Sequence, residues 1–377
     1  MRGSGALARG ARWLALLGLA AVIAGCAADK PKPTPLQPLE PKIAGRLVWQ
    51  SSVNGVRFPL QPSVRGGSFY VAGDDGTVVA LDADSGREAW RANVGTSISA
   101  GVGSDGRFAS VVTAANEVVT FDAGRELWRQ RVSSRVVTAP LVAGERVFVM
   151  GIDRTVQAFD AMDGRRLWSL QRPGDALTLS QGGVIAAYKD TLLVGQGPRL
   201  AALDPLRGTL RWEVPMASPR GTNEVERLAD LLGPAVRLGD RYCARAFQSA
   251  VACVDASRGA LLWSRNAGGT DAVGGNEELV FGADASDRIT AWRTASGDVA
   301  WSQETLLYRG LSGALAVSGS VIFGDSEGFV HFLSAATGEA QLRLPTDGSA
   351  IVGSPVLSGT TVLVTTRKGG LYAFRPN

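Results

Sequence analysis

Three kinds of side chain in this sequence have the chemistry for catalysis or ligation. Aspartates recur at Asp82, Asp122, Asp160, Asp204 and Asp255, a single histidine stands at His331, and cysteines stand at Cys26, Cys243 and Cys253. Gathered carboxylates would bind a metal or move a proton, an imidazole would serve as a general base, and a thiolate would attack or ligate. Their spacing argues against each of these roles. The aspartates fall one per repeat, so a repeat fold distributes them around its body and cannot bring them together. His331 lies in an apolar stretch of strand character, where a packed ring is expected. No Cys-x-x-Cys pair appears. The expectation is therefore a protein without catalytic residues, without cofactor-binding residues and without metal ligands.

The elements that carry these residues follow from internal repetition. One unit reads Ala80-Leu81-Asp82-Ala83-Asp84-Ser85-Gly86-Arg87-Glu88-Ala89-Trp90, and another Ala158-Phe159-Asp160-Ala161-Met162-Asp163-Gly164-Arg165-Arg166-Leu167-Trp168. Further copies close at Trp212 and Trp263, and degenerate ones at Trp128, Trp301 and Leu342. The closing residues lie 38 to 51 residues apart, the period of a propeller or another repeat array. Upstream of Asp82, Asp74-Asp75-Gly76 separates two apolar runs and supplies the backbone angles of a tight hairpin. The Asp-x-x-x-Gly segment makes a second turn, with the carboxylate accepting backbone N–H groups. Adding an earlier strand such as Ala139-Pro140-Leu141-Val142 gives four strands per unit, a propeller blade. Seven copies are followed by an incomplete one running to Asn377, while Gly45-Arg46-Leu47-Val48-Trp49 reads as a final strand without a blade. The two fragments complement each other. The fold class is all-β: an eight-bladed β-propeller of four-stranded antiparallel blades, closed by an N-terminal strand that completes the last blade.

The N-terminus reads as a targeting segment. Arg2, Arg9 and Arg12 precede an apolar run over residues 13–23, too short for a convincing membrane span. Ile23-Ala24-Gly25-Cys26 resembles a bacterial lipobox, which implies cleavage after residue 25 and lipidation of Cys26. Ala27, where an Asp would resemble an inner-membrane retention signal, implies the outer membrane facing the periplasm. Pro31, Pro33, Pro35, Pro38 and Pro41 then predict an extended tether over residues 26–44, ahead of a propeller over 45–377. Removing the three arginines lowers the net charge from +4 to about +1, and a near-neutral body has no footprint for nucleic acid.

The Ala-x-Asp-x-x-x-Gly-x-x-x-Trp repeat resembles that of pyrroloquinoline-quinone (PQQ) dehydrogenases and of their non-enzymatic relatives. More local segments are similar to the BamB family, propeller lipoproteins of the outer-membrane β-barrel assembly machinery. They are Leu306-Leu307-Tyr308-Arg309-Gly310-Leu311, the stretch from Gly324-Asp325-Ser326 to Val330-His331, the stretch from Gly221-Thr222-Asn223 to Ala229-Asp230, and Leu177-Thr178-Leu179. The resemblance implies a non-enzymatic scaffold without cofactor. Such a scaffold binds the periplasmic domains of BamA and the rest of the Bam complex, and assists folding and insertion of β-barrel outer-membrane proteins, with nascent barrels as further partners. The alternative is a PQQ-binding quinoprotein dehydrogenase or another periplasmic binding propeller; the adjacent cysteine pair of several such dehydrogenases is missing. In the family, a Leu-x-Leu-Arg loop and neighbouring acids carry the BamA contact. Leu177, Leu179 and Asp230 match it, whereas Ser180 stands for the arginine and Leu232 for a second acid.

Position supports the same region. Segments 172–183 and 215–233 each follow a blade-closing tryptophan, so both leave adjacent blades on one face, and the second lies in the longest repeat interval. Leu177 and Leu179 are expected at the surface beside Asp230, or alternatively as core residues starting a strand. Cys243 and Cys253 flank the hairpin around Gln248-Ser249. A two-residue turn would put their thiols on opposite faces, and one further turn residue would place them opposite each other, so a disulfide is left open.

Overall fold

The computed structural model describes residues 31–376, apart from 173–176 and 220. The expected signal segment over residues 1–25 and Cys26 lie outside the described residues. The fold is the expected one. Eight four-stranded antiparallel sheets span residues 63–93, 98–131, 141–170, 185–215, 231–266, 274–303 and 315–345 (blades 1 to 7), and 351–376 together with Gly45–Ser52 (blade 8). The N-terminal strand Gly45–Ser52 pairs with Gly370–Pro376, from Gly45 opposite Pro376 to Ser52 opposite Gly370. This pairing closes the ring and removes two free sheet edges.

The sequence pattern inside a blade follows from its neighbours. The middle strands Ser68–Ala72 and Thr77–Asp82 are buried almost throughout, because adjacent blades cover both of their faces. The outer strand Glu88–Asn93 is covered on one side only and alternates.

The repeat motif is the lock between blades. The indoles of Trp49, Trp128, Trp168, Trp263 and Trp301 donate to the carbonyls of Ala83, Ala161, Pro205, Thr294 and Ala335, each in the next blade's turn, at 2.8–3.0 Å. The repeat glycine lies under that ring. At Gly164 a Cβ would come 2.5 Å from Trp128, and φ is +73°. The aspartates brace the same turns: Asp82, Asp160, Asp204 and Asp255 accept the N–H of Ser85, Met162, Leu206 and Ser257. Leu342 replaces tryptophan where the following blade is blade 8. There the third and fourth strands are not joined by a turn, and Gly45 lies against Leu342 instead.

Cys243 and Cys253 form a disulfide. A three-residue turn, Phe247-Gln248-Ser249, joins Ala246 to its partner Ala250, with Gln248 at φ +49°. That extra residue sets Cys243 opposite Cys253 on one buried face.

Most of the expected tether's described residues belong to the propeller. From Thr34 onward the chain belongs to the propeller's own compact unit. Leu36 packs against the buried cluster that includes Leu306, Leu311 and Leu333, and Ile43 against the one that includes Leu342. The segment over residues 31–44 forms neither helix nor strand. Its apolar residues bind that segment to blade 7, because leaving them in water would cost hydrophobic free energy.

Candidate partner interface

Strand order assigns every connection to one of two faces. Hairpins between second and third strands lie on the same face as the connections from one blade to the next. The Asp-x-x-x-Gly turns lie on the other. Segments 172–183 and 215–230 are blade-to-blade connections, so the residues matched to the family loops share one face.

On that face the first loop is tied down by polar contacts. Asp230 Oδ2 accepts the N–H of Leu179 at 2.8 Å, and its other oxygen lies 3.7 Å from the Arg154 guanidinium. Thr178 donates its hydroxyl to the Ile152 carbonyl at 3.0 Å. Leu177 is 36% exposed, while Leu179 is half-buried over a cavity of about 50 Å³ shared with Val137, Met150, Ile152 and Leu231. The expectation of two exposed leucines thus holds for Leu177 and is corrected for Leu179, whose loop is drawn in by Asp230. Neither leucine lies in a strand. Asp230 joins loops from two adjacent blade junctions. Ser180 is exposed. Leu232 is buried in the innermost strand of blade 5, bridged to Gly183. An apolar side chain at that place belongs to the interior and not to the rim.

The second loop braces itself. Asn223 accepts the N–H of Glu226 at 2.9 Å, and Glu226 accepts the N–H of Thr222 at 2.7 Å, a reciprocal arrangement like a capping box. The Thr222 N–H and hydroxyl hold the Glu226 carboxyl below its ordinary value. The brace presents Val225, 71% exposed. Val225 and Arg154 escaped the sequence analysis. An isolated aliphatic inside the polar run Thr222-Asn223-Glu224-Val225-Glu226-Arg227 was the available signal for the first.

His331 and two chemistry-like sequence patterns sit in structural contacts. His331 is buried, and its Nε2–H donates to the ionised Asp325 carboxylate at 2.9 Å; burial, outweighing Asp325, holds the imidazole pKa below the ordinary value. Two sequence patterns associated with chemistry were missed. Gly324-Asp325-Ser326-Glu327-Gly328 spells Gly-x-Ser-x-Gly, but it forms a hairpin between two strands and not a strand-to-helix elbow, and its imidazole neighbour bonds Asp325. Gly101-Val102-Gly103-Ser104-Asp105-Gly106 spells Gly-x-Gly-x-x-Gly, but no helix follows it. A Cβ at Gly103 would come 1.8 Å from the Pro140 carbonyl, so the glycine serves the close approach of blades 2 and 3. The central channel, about 730 Å³, is lined from all eight blades. Its Asp287 carboxylate accepts the N–H groups of Gly310 and Leu311, although burial raises its pKa. Among the described residues no group of three or more His, Cys, Asp and Glu is placed to hold a metal ion.

A closed eight-bladed ring, with two loops from adjacent blade junctions joined by Asp230 on one face and its repeated acids spent on turns, is a β-propeller of the PQQ-like repeat type. The profile of the family described as "Outer membrane protein assembly factor BamB" matches residues 40–99 and 74–303. A relative of that description from Burkholderia pseudomallei (strain K96243) is 35% identical over 362 residues, covering 94% of this chain and 95% of the relative. The chain belongs to the BamB family. The crystal structure of BamB from Moraxella catarrhalis superposes with a TM-score of 0.80 at 21% identity, covering 88% of this chain and 100% of that one. The quinohemoprotein alcohol dehydrogenase of Comamonas testosteroni shares the fold alone, with a TM-score of 0.67 at 16% identity over 88% of this chain and 76% of that one.

Proposed function

We infer that this protein is an outer-membrane protein assembly factor that works by binding, without catalysis of its own. Its partner is the set of periplasmic domains of a BamA-like protein within the Bam complex, and it acts on the insertion of β-barrel outer-membrane proteins. The observation that carries this reading is the Leu177-Thr178-Leu179 loop, drawn toward the neighbouring blade junction by Asp230 with Leu177 left at the surface. Leu177 supplies an apolar anchor and Val225, on the same face, a second one. Asp230 and Arg154 supply a polar rim whose conformation is fixed before binding, which lowers the ordering cost of association. With Ser180 and Leu232 at the family's charged positions, the contact leans on its apolar half.

The reading includes a signal peptide over residues 1–25, lipidation of Cys26, and the periplasmic side of the outer membrane as the working place. Lysates of cells fed labelled palmitate check the anchor: Cys26→Ser abolishes labelling, and equal labelling of the variant refutes it. Affinity capture from detergent-solubilised outer membranes checks the partner. BamA co-purifies with the wild-type protein and is lost with a Leu177→Ala, Leu179→Ala variant of unchanged melting temperature. Titration with PQQ and calcium gives no heat; saturable binding would support the quinoprotein alternative.

A further inference from the structure

Blade 7 alone, among the described residues, has its outer edge accompanied by a segment from outside the ring of strands. Residues 34–43 run along the strand Ala340–Pro345 in the opposite direction. Thr34 donates its N–H to Leu307 at 2.9 Å, the Arg343 guanidinium donates to the Gln37 carbonyl at 3.1 Å, and Lys42 donates its N–H to Gln341 at 2.8 Å while its ammonium pairs with Glu339. The upper end is held by a buried polar cluster. Arg309, 2% exposed, donates to the Thr34 carbonyl at 3.0 Å, to Asp325 at 2.9 Å and also to Glu327.

The two ends of this segment lie on opposite faces. Leu307 and Arg309 belong to a blade-to-blade connection, and Asp325 and Glu327 to a hairpin between second and third strands, which is the face of Leu177 and Asp230. Glu339 lies in the turn between third and fourth strands, on the other face. Without the strap, the chain would leave the propeller at Gly45 on the face away from the partner loops. With it, the chain leaves at Thr34 on the partner face.

We propose that residues 34–43 are an orienting strap, which fixes the exit of the membrane anchor on the partner face and so holds that face toward a lipid bilayer. The proposal rests on lipidation of Cys26. It shortens the leash as well as moving its root. At roughly 3.3 Å per residue, the stretch from Cys26 to Thr34 reaches about 25 Å, whereas a free stretch from Cys26 to Gly45 would reach about 60 Å. The shorter reach is comparable to the height of one blade, about 20 Å for a six-residue strand, so the opposite face cannot approach the bilayer as readily.

The test uses the full-length lipoprotein reconstituted in vesicles that contain an acceptor-labelled phospholipid. A donor fluorophore is introduced through an unnatural amino acid at Glu224, on the partner face, or at Asp163, on the other; both positions are exposed. Energy transfer to the bilayer is expected to be several-fold greater from position 224. Replacing residues 34–43 with Gly and Ser should abolish the difference. So should a long Gly/Ser insertion between Pro33 and Thr34, which leaves the docked strap and the fold intact. Equal transfer from the two positions in the wild-type protein overturns the proposal, as does a difference that survives both variants. Flotation with the vesicles reads the anchor separately. A protein that does not float refutes lipidation at Cys26, and the strap is then tested on the same protein coupled through Cys26 to a maleimide lipid.

Discussion

The junction of blades 6 and 7 and the junctions of blades 3, 4 and 5 face the same way, and both hold segments resembling the BamB family. Both tie a loop with a carboxylate that accepts a backbone N–H: Asp287 takes those of Gly310 and Leu311, and Asp230 takes that of Leu179. They differ in what covers them. At blade 7 the chain's own N-terminal segment lies over the loop, and Arg309, Asp325 and His331 become interior. At blades 3 to 5, among the described residues, Leu177 and Val225 remain at the surface. One architecture thus yields a finished contact where the chain supplies the cover and an open one where, under the proposed function, a partner supplies it.

The largest expected effects fall on the finished region. Deleting residues 26–50 removes the strand that completes blade 8 and should abolish the cooperative transition. Deleting 26–40 removes Thr34 and Leu36 from the strap and should lower the melting temperature measurably, while deleting 26–33 should leave it unchanged. Three equal melting curves would break both the closure and the strap. Next comes Asp325→Ala. It leaves the Arg309 charge buried without its deepest partner, and breaking such a pair costs about 3–5 kcal/mol, read as a fall in the urea midpoint. The Arg309 guanidinium is raised in pKa by Glu327 and Asp325 against the opposing effect of burial, so the charge persists at every working pH.

His331 gives the same region a pH dependence. Burial holds its folded-state pKa below the ordinary 6.5, against the pull of Asp325, so the unfolded chain binds the proton more readily. The contribution is fully present above about pH 6.5 and is lost as pH falls from there toward the folded value. Melting temperatures should therefore drop between about pH 7.5 and about pH 5.5, and His331→Gln should flatten that slope. A slope unchanged in the variant would place the titration elsewhere.

Smaller stability effects are expected on the open region. Asp230→Asn weakens an N–H contact and the ion pair with Arg154. It should cost on the order of 1 kcal/mol of stability, with a loss of affinity smaller than that of the leucine pair and more sensitive to salt. Equal salt dependence in wild type and variant would show that Asp230 acts only inside the protein.

The sequence made the ring legible because its lock is local and repeated. Asp, Gly and Trp at fixed offsets each perform one task, and the task can be worked out from one copy. Even the exception at Leu342 marks the blade that has no turn to receive an indole. The strap was not legible in the same way. Five prolines announce an extended segment, but which surface it lies against depends on Leu306, Arg309 and Leu342, some three hundred residues away. Asp230 entered as a candidate by resemblance. Its bond to Leu179 was not foreseeable, since it joins loops from separate blades. Leu232 shows the converse: an apolar residue at a position of charge was a sign of the interior.

Calorimetric titration with purified periplasmic domains of BamA decides whether the open region is a binding face. The Leu177→Ala, Leu179→Ala variant should melt within a few degrees of the wild type and bind at least about tenfold more weakly, as truncation of desolvated apolar anchors requires. A variant that folds and binds as the wild type does would contradict that assignment.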